Sequence, residues 1–79
     1  MQVRFYGKLA EQIAREIELD QAGGTVADIR ARLSEIYPNS ADDLRSPLVR
    51  ACMGDQLVDD SFPLDSGDVV EFFAPVSGG

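Results

Sequence analysis

Only one stretch of this chain carries a sustained helical pattern, and most of what flanks it alternates like strand. Val26, Ile29, Leu33 and Ile36 recur at intervals of three and four, so they line one side of a helix, while Asp28, Arg32 and Glu35 point elsewhere. Thr25, followed three residues later by Asp28, has the form of a capping box: each side chain can satisfy an amide that the first turn leaves free. Pro38 ends the helix, because the residue before a proline is pushed out of the helical region. One apolar stripe can cover one face of one sheet. The chain is thereby confined to an α+β arrangement whose sheet keeps its other face uncovered.

The strands follow from period-two alternation. Gln2 to Tyr6 sets Val3 and Phe5 against Arg4 and Tyr6, and Gly7 closes it. Lys8 to Arg15 has a weak helical pattern and reads as loop or a short turn. Glu16 to Leu19 alternates again and completes a hairpin, before a turn over Asp20 to Gly24. Asn39 to Pro47 reads as polar loop. Leu48 to Met53 places Val49, Ala51 and Met53 on one face and Arg50 and Cys52 on the other, and Gly54-Asp55 turns into a short strand at Gln56 to Val58. Asp59 to Gly67 reads as an irregular connection, with a tight turn at Asp65-Ser66-Gly67-Asp68. The last strand, Val69 to Phe73, alternates Val70 and Phe72 with Val69, Glu71 and Phe73. This order fits a β-grasp, the ubiquitin architecture: a mixed sheet of about five strands, one main helix on one face, and the first and last strands parallel neighbours. The expected division is a domain over 1–73 and an extended tail over 74–79.

Composition narrows the function. A chain of 79 residues buries about 60 to 65% of its unfolded surface, which leaves little room for an internal active-site cavity. There is no histidine and a single cysteine, Cys52. An internal disulfide is therefore impossible, and the usual activator of a nucleophile is missing. Cys52 reads as a small, inert strand residue. The pairs Asp42-Asp43 and Asp59-Asp60 sit beside turn residues and read as solvated loop charge, so no metal site is expected. A net charge of −7 argues against nucleic acid and for a basic partner surface. No apolar run approaches the roughly 20 residues that span a bilayer, and Arg4 and Lys8 interrupt any signal-like stretch. A cytoplasmic location without membrane attachment is the expectation.

The end of the chain carries the chemistry. Pro75 cannot continue ladder pairing, so the chain leaves the sheet in an extended direction. Six residues from Ala74 reach at most about 20 Å, enough to carry a terminal carboxylate into a partner. Gly78 and Gly79 lack a Cβ and can pass a narrow channel, and nothing obstructs attack at the carboxyl carbon of Gly79. A carboxylate becomes an acyl donor once its oxygen is made a good leaving group, commonly by adenylation. It can then accept sulfur or form an isopeptide bond. The chemistry would belong mostly to partners, and no activity is expected of this chain alone.

From Leu64 to Gly79 the sequence resembles the end of the small subunit of molybdopterin synthase, a ubiquitin-like sulfur-carrier family. A Gly-Asp turn, a strand ending in Phe, a Pro-Val step and terminal Gly-Gly recur there, here as Gly67-Asp68, Phe72-Phe73, Pro75-Val76 and Gly78-Gly79. The thiazole-pathway carrier shares the terminal glycines but usually ends its strand differently. One departure is visible: Met53-Gly54 stands where the family commonly has Val-Asn, and both Asn and Gly tolerate positive φ. The resemblance implies that an E1-like enzyme adenylates Gly79 with ATP. Sulfur delivery would then give a thiocarboxylate, and the tail Pro75, Val76, Ser77, Gly78 and Gly79 would enter the synthase large subunit to donate sulfur to a cyclic pyranopterin precursor of the molybdenum cofactor. No permanently bound cofactor is implied. The alternatives are a related carrier of the thiazole or cysteine pathway and a ubiquitin-like protein modifier.

A docking face follows from the alternation. If Val3, Phe5, Val70 and Phe72 meet the helix, then Tyr6, Val69 and Phe73, with Cys52 nearby, lie on the uncovered face and form the expected partner-binding group.

Overall fold

The computed structural model describes residues 1–74. The elements are β1 (Gln2–Phe5), α1 (Lys8–Gln12), β2 (Glu16–Glu18), β3 (Gly23–Thr25), α2 (Val26–Ile36), a 3-10 turn (Pro38–Ser40), α3 (Ala41–Arg45), β4 (Arg50–Met53), β5 (Gln56–Val58), β6 (Pro63–Asp65) and β7 (Val69–Phe73). A five-stranded mixed sheet runs β2-β1-β7-β4-β5, and β3 pairs with β6 in a small second sheet. β1 and β7 are parallel, with Val3 beside Val70 and Phe5 beside Phe72, and the other pairings are antiparallel. This is the β-grasp topology expected from the alternation.

Register follows from burial. Val3, Phe5, Val70 and Phe72 are at most 2% exposed and face α2, whose Val26, Ile29 and Leu33 are fully buried. A shift of one residue in either central strand would turn its apolar set to water, so the pairing is strongly specified. The rings of Phe5 and Phe72 stack with centroids 6.3 Å apart. The capping box forms as expected: Asp28 N donates to Thr25 Oγ1 at 3.3 Å and Thr25 N to Asp28 Oδ2 at 2.9 Å. Two further amides of the first turn, Val26 N and Ala27 N, donate to the carbonyls of Phe62 and Asp60. The chain between β5 and β6 is thus docked on the start of α2.

Several readings are corrected. Ile36, expected in the apolar stripe, is 41% exposed, while Arg30 and Ser34 are buried. The inner side of α2 is shared between the sheet and α3, and that turns Arg30 and Ser34 inward. The segment Asn39 to Pro47 is largely helical, because Leu44 supplies one fully buried anchor to α3. Likewise Lys8 to Gln12 is a short helix held by buried Leu9, entered through Gly7 at φ +62°. The third long strand begins at Arg50, and Leu48 before it is 73% exposed. Strands β3 and β6 lie where a turn and an irregular connection were expected, pinned by buried Leu64.

Arg30 organises the half of the core that α2 shares with α3. Its Nη1 donates to the carbonyls of Leu44 at 2.8 Å and Ser46 at 3.3 Å, its Nη2 to that of Val49, and its Nε to Asp60 Oδ1 at 2.9 Å. The guanidinium also lies 5.3 Å from the centroid of the Phe72 ring. One side chain thereby supplies donors to the carbonyls of Leu44 and Val49, and a second donor to Ser46 O, which already accepts from Val49 N at 3.1 Å.

Candidate functional site

The central strand β7 delivers the chain to the tail. Tyr6 N donates to Phe72 O at 3.2 Å, which carries the β1–β7 pairing one residue past the end of β1. Ala74 then shares the wall of a small pocket with Tyr6, Gly7, Lys8, Leu9, Asp43 and Val49. The expected tail-insertion residues Pro75, Val76, Ser77 and Gly78, and the acyl-donor Gly79, lie outside the described residues.

The expected partner-binding residues do share the face opposite α2. Cross-strand register sets Gln2 beside Val69, Arg4 beside Glu71, Arg50 beside Phe73, and Cys52 beside both Glu71 and Leu57. Tyr6 is 48% exposed, and Val69, Phe73 and Cys52 are half-buried. The apolar group is wider than the sequence suggested, since Leu57 on β5 is 52% exposed on the same face. Its signal was the alternation of Gln56 and Val58 about it, visible once Cys52 is known to be its partner.

Polar groups border that apolar area. Arg4 Nε donates to Glu16 Oε1 at 2.8 Å, and the Tyr6 hydroxyl donates to Glu71 Oε2. The Glu71 bond, which needs the neutral phenol, holds the Tyr6 hydroxyl above its ordinary pKa, with desolvation adding to it. Glu16 likewise raises Arg4, first through the hydrogen bond and then through its charge. The turn that carries the Met53-Gly54 departure has Gly54 at φ +61°, the left-handed conformation that asparagine also tolerates, and the Cys52 thiol donates to Gly54 O at 3.1 Å. Three of the four paired aspartates are engaged: Asp43, on α3, pairs with Lys8, Asp60 pairs with Arg30, and Asp59 accepts from the Ser61 hydroxyl and amide, which lowers its pKa. Among the described residues no three His, Cys, Asp or Glu side chains gather as a metal site, and no helix is long and apolar enough to cross a membrane.

A mixed five-stranded sheet with parallel β1 and β7 at its centre and α2 packed on one face is the β-grasp, ubiquitin-like fold. Solved structures agree on the fold. SAMP1 from Haloferax volcanii superposes with a TM-score of 0.79 at 23% identity, over 99% of this chain and 97% of that one. A second structure of that organism's small archaeal modifier protein 1 gives 0.77 at 20% identity over 95% of each chain. The solution structure of the Haloferax volcanii HVO 2177 protein gives 0.69 at 26% identity, over 99% of this chain and 84% of that one. Among curated proteins no sequence matches. Residues 3–79 match the sequence profile of the ThiS family, and the chain belongs to that family of ubiquitin-like sulfur carriers.

Proposed function

We propose that this chain is the sulfur-carrier subunit of a molybdopterin synthase, working through the carboxylate of Gly79. The observation that carries the reading is the run from Gly67 to Gly79, in which the Phe72-Phe73 end of the strand at the middle of the sheet is followed in the sequence by Pro75-Val76 and Gly78-Gly79. Membership of the ThiS family supports the carrier chemistry, and the strand ending favours the molybdopterin branch over the thiazole one. In the proposed cycle, a Gly79 carboxylate oxygen attacks the α-phosphate of ATP on an E1-like enzyme and pyrophosphate leaves. Hydrosulfide then attacks the acyl carbon, the acyl–phosphate bond breaks with AMP leaving, and loss of the sulfur-bound proton gives a thiocarboxylate. The face bearing Tyr6, Val69 and Phe73 docks on the large subunit while Pro75, Val76, Ser77 and Gly78 thread the tail. The carrier contributes reach and placement, and its partners contribute catalysis.

The test is the intact mass of the protein from its native host. A species about 16 Da heavier, with carboxylate oxygen replaced by sulfur and shifted further by the alkyl mass when that sulfur is alkylated, is the expected result. The second reading, a protein modifier, draws on the names of the Haloferax volcanii neighbours. It would give a ladder of protein conjugates through Gly79 in place of the heavier free species.

A further inference from the structure

The five-stranded sheet has two edges, β2 and β5, and they are built differently. On β2, Phe5 N donates to Arg15 O and Leu19 N to Met1 O, so the ladder to β1 uses the odd-numbered residues. The outward N–H and C=O groups there belong to Glu16 and Glu18. Both glutamates are exposed and each already holds a cation, Arg4 for one and the N-terminal amine for the other. Charged side chains on an edge discourage a further strand.

β5 has no such guard. Its three residues, Gln56, Leu57 and Val58, carry no charge. The turn before it is two residues long, with Gly54 at φ +61°, and the register pairs Met53 with Gln56, Cys52 with Leu57 and Ala51 with Val58. A two-residue loop is closed by a hydrogen-bonded pair, and antiparallel pairs then alternate. Leu57 therefore sits in a pair without mutual hydrogen bonds, and its N–H and C=O point out of the sheet edge. No other backbone group among the described residues reaches them. The Leu57 side chain is 52% exposed on the open face, beside Cys52. Two positions away on either side stand Asp55 and Asp59, both exposed and without a cationic partner among the described residues.

These surroundings select the occupant. Two copies of this chain paired antiparallel about Leu57 would set Asp55 of each opposite Asp59 of the other, and like charges directly opposite are destabilising. A foreign strand with cations at those positions is attracted where a second copy is repelled. We propose that the β5 edge takes one strand from a partner protein, a segment in which an apolar residue has Lys or Arg two positions before it and two positions after it. The apolar residue lies beside Leu57 and the cations beside Asp55 and Asp59. Leu57 N donates to the strand's main chain and Leu57 O accepts from it. Because Leu57 shares the open face with Tyr6, Val69 and Phe73, the added strand widens that face in the plane of the sheet. The binding does not depend on what Gly79 is activated for.

The test uses the full chain and a synthetic nonapeptide with isoleucine at its centre, arginine two positions to either side, and threonine or serine elsewhere. Titrated to about 1 mM at low salt, the peptide should shift the amide resonances of Leu57 and Asp59 most and slow exchange of the Leu57 amide about tenfold. Leu57→Pro removes the outward N–H without touching the ladder to β4, and should weaken binding on the order of tenfold with the urea midpoint retained. Asp55→Asn with Asp59→Asn keeps the strand intact and should weaken binding about fivefold while flattening its salt dependence. This second variant decides the matter if Leu57→Pro does not fold. A peptide with glutamate in place of arginine should not bind. The proposal is overturned by an absence of shifts at about 1 mM, by shifts centred on Glu16 to Glu18, or by an unchanged Kd in folded Leu57→Pro or in the aspartate variant. A dimer in sedimentation that Leu57→Pro abolishes also overturns it, by making a second copy the occupant.

Discussion

The two adjacent phenylalanines of β7 should respond to truncation in opposite ways. Phe72 is fully buried, stacks on Phe5 and carries the Arg30 guanidinium on its ring, so Phe72→Ala removes a large core side chain and two ring contacts. Core Phe→Ala changes cost about 3 to 5 kcal/mol. A domain of this size has a total stability of only about 4 to 12 kcal/mol, so the variant should be partly unfolded at 37 °C. Phe73 is half-buried on the face without a helix and leaves no enclosed cavity when truncated; its loss should cost about 1 kcal/mol. With a urea slope near 1 kcal/mol per molar, the midpoint should fall by about 3 M or more for Phe72→Ala and by about 1 M for Phe73→Ala. Phe72→Leu gives a milder variant if the alanine form cannot be purified. For binding, Phe73→Ala should weaken capture by the synthase large subunit by about 2 kcal/mol, near thirtyfold in Kd. Normal binding by Phe73→Ala would remove this face from the docking surface. A larger stability loss for Phe73→Ala than for Phe72→Ala would show the strand facing the other way.

Three further outcomes are expected. Deleting Gly79, or adding one residue after it, should abolish adenylation measured by pyrophosphate exchange while leaving the urea midpoint unchanged; an untrimmed extended form that still supports cofactor synthesis would refute the acyl-donor role. Arg30→Met should destabilise by roughly 3 kcal/mol or more, because it strands the carbonyls of Leu44 and Val49 without a donor, and a urea melt within 1 kcal/mol of wild type would refute the clamp. Tyr6 has a raised folded pKa, so its bond to Glu71 adds stability that is fully present below the unfolded value of about 10 and is lost as pH rises through the folded one. The stability difference between wild type and Tyr6→Phe should accordingly be present at pH 8 and shrink above pH 10, and a difference independent of pH would show that the bond does not form.

Legibility tracked the strength of local patterns. The Thr25-Asp28 box, the Val26–Ile29–Leu33 stripe and the alternation of β1 and β7 were each readable because several residues repeat one preference, and each is found. α1 and α3 were not readable, since each is a single turn anchored by one buried leucine, Leu9 or Leu44, and one residue has no period. β3 was hidden by glycine at two of its three positions, Gly23 and Gly24. The open face was legible as far as Tyr6, Val69 and Phe73, but Leu57 joined it only through pairing with Cys52, which is long-range information.

Arg30 shows the same limit in a charged residue. In the sequence it falls among Asp28, Arg32 and Glu35 on a helix, where an arginine ordinarily lies in water, and nothing local distinguishes it from Arg32. Arg32 indeed pairs on the surface with Glu35, three residues away. Arg30 is drawn inward by acceptors 14 to 30 residues away in the chain, at Leu44, Ser46, Val49 and Asp60, which exist as a cluster only once α3 has closed against α2.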